Sequence, residues 1–434
     1  MAATSGSQSR SFLQRRRGLL LGLIAIGLLA VTGLGVRELV QRYPNQGFLS
    51  AERLNDARLI LLGTDVRLDR YQPEPVLKVP LEQVERASYP ATDVHWHLES
   101  QLPELTVERL VAAMDAAGIQ RIVHLGGLPK EFKKAAAYTE KYPDRFVLFV
   151  KPDFAAAVRD ESGLEAGVAE QVKWMQEAAS LGARGVKISK SLGMGQRTRD
   201  GRLLAVDDPR LDPIWETAGK LGLPVLIHTG DAEAFFRKPD GNNERYEEML
   251  RNPKWVRYGK EPSLETLFAQ RERLLARHPR TNFIGAHFGM QEDDLAQVAA
   301  LLDRFPNYYV DTAAVAHALG RQPVTARAFF LRYPDRILFG SDGGYGLVAD
   351  GPGWTPQRLF RSYIEFFETS NEYVEYPLWG AYNQGRWRIY GLDLPGEVLE
   401  KIYVSNAARL IPSRADVAQR LATSQSSSAA ISVP

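Results

Sequence analysis

The stretch TDVHWHLESQLP, Thr92 to Pro103, decides the fold. It begins as an apolar strand of period two and then breaks where the chain must turn. In a doubly wound open sheet, the first strand usually runs into a glycine-rich turn that cradles a phosphate. HWHLESQLP stands in that place and holds no glycine. Residues two apart on a strand face the same way. His95 and His97 therefore point together from the strand's C-terminal end, and Trp96 points away into surrounding core.

Outward from this stretch, strands and helices alternate. TVERLVAAMDAAG has helical periodicity, with Thr106 as a cap and Gly118 as a stop. The strands RIVHLG, RFVLFVK, GVKIS, PVLIHTG, NFIGAHFG, YYVDTAA and RILFGSDGG follow, separated by helical stretches. EVLEKIYVSNAARLI is expected to be the closing helix. Eight strands each followed by a helix predict an α/β protein, a (β/α)8 TIM barrel over residues 91–412. Two long insertions interrupt the rhythm, Asp231–Ser263 after strand five and Leu347 to about Pro395 after strand eight. Both follow C-terminal strand ends, where barrel sites lie, so both are expected to wall or cover a pocket.

Net charge is +2, but residues 1–50 hold six arginines, no lysine and one acid, Glu38. That segment carries +5, which leaves +2 − 5 = −3 for the rest. The basic excess belongs to the N-terminal tail, and a nucleic-acid partner is not expected. There are no cysteines, so disulfides, thiolate metal sites and a cysteine nucleophile are excluded. Gly18–Val36 is uncharged and apolar, and long enough to span a hydrocarbon core of ~30 Å. Arg15, Arg16 and Arg17 precede it, which keeps residues 1–17 cytoplasmic. The expectation is a bacterial-type inner-membrane protein with one transmembrane helix and its catalytic domain periplasmic. The alternative is a soluble protein exported after signal cleavage. Residues 37–90 are expected to be a linker and lead-in, and 413–434 a disordered tail.

Other strand ends repeat the theme of the first. Strand five ends at His228, strand six at His287 and strand eight at Asp342, each near a glycine-containing turn. Four of the seven histidines thus fall at strand C-termini. Three imidazoles and a carboxylate make a nitrogen and oxygen site that leaves room for water.

With DVHWH, GVKIS, PVLIHTGD, NFIGAHFG, RILFGSD and SNAARL in this order, the chain resembles the amidohydrolase-related family of metal-dependent TIM-barrel enzymes. The resemblance covers about Val79 to Ile411, and NERYEEML, QRERLLARHP and LGRQP add to it. It implies one divalent metal, zinc or else manganese, bound by His95, His97, His228 and Asp342. It implies that His287 orients or polarises substrate. Lys187 in GVKIS is expected to bind substrate or buttress the site; relatives with two metals carry a carboxylated, bridging lysine on this strand, which is the alternative.

The expected function is a hydrolase in which metal-activated water attacks a small amide, ester or lactone, with Asp342 as general base. The first alternative is a non-oxidative decarboxylase of an aromatic or unsaturated acid. The second is a non-catalytic binding protein on the same scaffold. His317 and Arg321 are weaker candidates for substrate contact, the latter because guanidinium suits carboxylates. His124 is expected to pack at the pocket edge, and Asp93 and Asp311 to support the ligands. Insertion aromatics, among them Phe235 and Trp255, suit a ring-bearing substrate. A homodimer is left open.

Overall fold

The computed structural model describes residues 76–98, 107–344, 355–376, 385 and 387–430. The chain divides into two compact units, Met1–Lys78 and Val79–Pro434. The barrel belongs to the second. The expected transmembrane segment Gly18–Val36 and most of the expected linker lie outside the described residues, as does Thr106. Among the described residues, no helix is long and apolar enough to cross a membrane.

Eight parallel strands form one sheet in sequence order: β1 Ala91–Trp96, β2 Ile119–His124, β3 Phe146–Val150, β4 Ala183–Ile188, β5 Val225–Ile227, β6 Phe283–Gly285, β7 Tyr308–Asp311 and β8 Ile337–Leu338. The sheet closes on itself through Val94 N to Phe339 O (2.8 Å), Asp342 N to His95 O (3.0 Å) and His97 N to Gly343 O (2.9 Å). Closure removes both sheet edges and makes the arrangement a barrel rather than an open sheet.

Period two explains which side chains fill the interior. Val147 and Phe149 of β3, Leu226 of β5 and Ile284 of β6 pack inside, while Phe146, Leu148, Val225 and Phe283 join the outer core. β1 departs from the expected strict alternation. Val94 packs inside and Trp96 outside, and the register with β2 shifts between Asp93 and Trp96. The His95 amide bonds the Asp93 carboxylate (3.0 Å) instead of continuing the ladder. Such irregularities re-aim a side chain, and this one turns His95 inward.

Two expectations about the end of the chain are corrected. The helix that packs outside the barrel after β8 is Pro356–Glu368, inside the stretch expected to be a lid. Its Phe360 lies 5.2 Å from Trp96, and its Phe367 lies 6.1 Å from Phe339, centroid to centroid. The expected closing helix, 397–411, is present as a continuous helical run from Gly396 to Leu410 with a π-helical middle, Lys401–Ser405, and Ala407, Leu410 and Ile411 pack into the barrel's inner cluster. The expected disordered tail starts as a helix, Arg414–Ala430, because Val417 and Leu421 share one face and are both buried.

Candidate metal centre

The strand ends converge. His95 Nε2 is 3.2 Å and His97 Nε2 3.4 Å from the same oxygen, Asp342 Oδ1. His287 stands beside them, its ring centroid 4.9 Å from that of His95 and 4.5 Å from that of His228. Donor atoms of His95, His287 and Asp342 all lie within 4.8 Å of one another. His287, expected only to polarise substrate, is thus also within ligand reach.

Two of the rings are held from behind. His95 Nδ1 bonds Asp311 Oδ2 (2.8 Å), and His287 Nδ1 donates to Ala313 O (2.8 Å). The other Asp311 oxygen accepts from the amides of His287 (2.8 Å) and Ala313 (3.1 Å). His287, Phe288, Gly289 and Met290 all have left-handed φ, between 55° and 71°. Three of these four are not glycine, so the turn is strained. Arg271, fully buried, donates to Gly289 O and to the Gln291 side chain and so ties the turn down. Asp342 is also left-handed (φ 62°), and the preceding Ser341 bonds Asp93 through both its amide and its hydroxyl. Asp93 therefore anchors the turn that carries Asp342, and the expected support of the His95 ring comes from Asp311.

Burial, followed by the nearby Lys187 charge, holds His95 well below the usual histidine range. Burial and His287 do the same to His228. Burial alone would raise the Asp342 carboxyl, but the imidazoles of His95, His97 and His287 around it reverse the direction. His95 and His228 thus favour the neutral imidazole and Asp342 the carboxylate, the states that a divalent ion requires of its ligands. His228 Nε2 is buried with no hydrogen-bond partner. An orphaned nitrogen in a ring of convergent donors fits a metal and fits a purely structural cluster poorly.

These residues form the floor of a cavity of about 350 Å³. Lys187, only 4% exposed, projects into it from β4, with Lys151 and Lys190 nearby. Lys190 pairs with Asp231, which also accepts from Arg257 Nε (3.0 Å). From the insertion after β5, Phe235 and Trp255 pack 5.7 Å apart and line the wall. His317 also lines the cavity. Arg321 does not; it pairs with Glu244 (2.9 Å) and Asp293 (3.5 Å) and stacks on Trp387. His124 accepts from Leu98 N (3.1 Å) outside the cavity lining.

Lys151, Lys190, Asp231, Arg245, Glu248 and Glu292 line the cavity and were not singled out from sequence. Lys151 directly follows β3, so the strand-end rule that found the histidines could have reached it. Arg245 and Glu248 sit in an insertion with no strand period; their stretch, NERYEEML, adds to the family resemblance but gives no role to either residue.

A family model described as Amidohydrolase matches residues 97–412. No curated protein matches the chain. Among solved structures, the chain is similar to an uncharacterised TIM-barrel protein from Bordetella bronchiseptica, at 19% identity and TM-score 0.47, covering 75% of this chain and 99% of that one. It is also similar to a 2,6-dihydroxybenzoate decarboxylase from Rhizobium, at 17% identity and TM-score 0.45, covering 74% and 98%. A third is a dihydroxybenzoic acid decarboxylase from Polaromonas sp. JS666 with bound manganese, at 15% identity and TM-score 0.45, covering 74% and 96%.

Proposed function

From the premise that the chain belongs to the amidohydrolase family of TIM-barrel enzymes, we propose that it is a metal-dependent decarboxylase of a ring-bearing carboxylic acid. The observation that carries this reading is the cavity's composition. A buried lysine, Lys187, shares the floor with the histidine cluster, and Phe235 and Trp255 stand on the wall. With Lys151 and Lys190 also on the lining, the floor suits an anionic group of a substrate, and the flat aromatic wall suits a ring.

A divalent ion held by His95, His97, His228 and Asp342, with His287 in reach, would supply Lewis acidity beside the substrate's oxygens. Zinc is the first candidate and manganese the second. Lys187 and Lys151 orient the carboxylate, and the aromatic wall fixes the ring plane. The ring–carboxyl bond breaks, its electron pair stays on the ring carbon, and carbon dioxide leaves. The ring carbon then takes a proton. That proton comes from solvent water, and Asp342, 21% exposed and ionised at rest, is placed to accept it first and pass it to the ring carbon.

The same ionised carboxylate favours a second reading. In hydrolysis of an amide, ester or lactone, Asp342 would take the proton of an attacking water and pass it to the leaving group. The two readings differ in product. Metal-loaded protein, offered aromatic acids and a panel of amides, esters and lactones, should release carbon dioxide from an acid. New carboxylate without carbon dioxide would transfer the assignment to hydrolysis. His228→Ala and Asp342→Ala should each lose metal and turnover together; full metal content in both variants would sink the ligand assignment. Gly18–Val36 is further proposed to anchor the full chain in a membrane, and recovery of that chain in the soluble fraction of its host would refute this.

A further inference from the structure

The cavity has further polar residues that the reaction above does not use. Arg245 and Glu248 come from the insertion after β5, and Glu292 follows the strained turn after β6. All three line the same cavity as the histidine cluster and are almost fully buried. Arg245 is already engaged. It bonds His317 Nε2, lies over the Phe235 ring, and sits 3.6 Å from Glu248 Oε2, too far for a hydrogen bond.

Two acceptors are left over. Glu248 Oε2 (residue 2% exposed) and Glu292 Oε2 (residue 3% exposed) are both buried without a hydrogen-bond partner. Native proteins rarely leave such oxygens without a hydrogen bond, because the charge of Arg245 nearby does not replace the donors that water would supply. A further carboxylate would not answer this need, since it would face two carboxyl groups. A donor would. Burial pushes Glu248 up to about 7, and burial with Asp293 beside it pushes Glu292 up to about 8, so each can meet a neutral donor near neutral pH without a full charge.

We infer that Glu248 and Glu292, braced by Arg245, form a subsite for a hydrogen-bond-donating hydroxyl or amino substituent on the substrate, distinct from the residues that handle its carboxylate. The inference rests on the reading of this cavity as the substrate site. It makes the insertion after β5 a determinant of specificity.

Titration of the metal-loaded full chain tests it, with intrinsic tryptophan fluorescence as the signal. The probes are benzoate, 3- and 4-hydroxybenzoate, 3- and 4-aminobenzoate, and the carboxylate-free phenol and aniline. At least one hydroxyl- or amino-bearing benzoate should bind about tenfold more tightly than benzoate itself. Glu292→Leu should erase that gain and leave benzoate affinity nearly unchanged, while Glu292→Gln, whose amide oxygen still accepts, should keep part of it. Glu248→Leu decides the matter if Glu292→Leu does not fold. Donor substituents that add nothing in the wild-type protein, or a gain that survives the leucine variant, overturn the subsite while benzoate binding sustains the carboxylate reading. Binding of phenol or aniline that depends on Glu292, without binding of benzoate, sustains the subsite and refutes the carboxylate reading. Failure of every probe to bind overturns both.

Discussion

At the scale of single residues, Asp311 does the most with the least. One of its oxygens fixes the His95 ring, and the other takes the amides of His287 and Ala313, whose carbonyl fixes the His287 ring. With Nδ1 occupied on both rings, both Nε2 atoms carry lone pairs available to a ligand. Asp311→Asn keeps the size and removes the charge, and its amide can present a donor where His95 needs an acceptor. Metal affinity should fall about 10- to 100-fold, measured by competition with a chromogenic chelator. The His95 ring nitrogens should change tautomer by nitrogen-15 NMR. Unchanged affinity and tautomer would mean that Asp311 only packs. The histidines were legible in the sequence because a strand end is a place that periodicity can find. Glu292 was not, since its part depends on which distant strands enclose the space beside it.

At the scale of elements, the helix Pro356–Glu368 separates two kinds of insertion. Its buried Leu359, Phe360, Tyr363 and Phe367 fall on one stripe, the pattern of a helix with a core beneath it. The sequence shows that stripe as clearly as it shows the one in 397–411. Periodicity identifies a buried face but does not say against what the face is buried, so Pro356–Glu368 was expected to cover the pocket, while 397–411 does pack on the barrel as expected. If Pro356–Glu368 is the barrel's own outer helix, Phe360→Ala should destabilise the protein by ~3–5 kcal/mol, as a cavity under Trp96 would. A lid residue would cost less than about 1 kcal/mol. Denaturant unfolding of the variant distinguishes the two, and a loss at the lower figure would return the segment to the role of a lid.

At the scale of the whole molecule, the barrel was readable because eight repeats of one pattern outweigh errors in any single boundary. The cost of building a polar site inside that barrel was not readable, and it appears as a dependence of stability on pH. Burial raises Asp93 and Glu248 to about 7 and Glu292 to about 8. The folded chain keeps these protons at pH values where the unfolded chain has already released them. Stability from this source is therefore fully present below the ordinary carboxylate range and is lost as pH rises through 7 to 8. Burial lowers His95, His228 and His317. Below about 6.5 the unfolded chain takes up protons that these folded rings refuse, so their contribution is lost as pH falls. The two effects oppose each other below pH ~6.5, and above it only the carboxyl effect remains. The metal-free protein should thus lose thermal stability between about pH 6.5 and 8, by at most about 1.4 kcal/mol per pH unit for each carboxyl group. Glu292→Gln, with nothing to ionise, should flatten that fall in a series of melting curves across the window. Equal slopes in the variant and the wild-type protein would show that Glu292 ionises in the folded state as readily as in water, and that its burial is compensated by a group other than a bound donor.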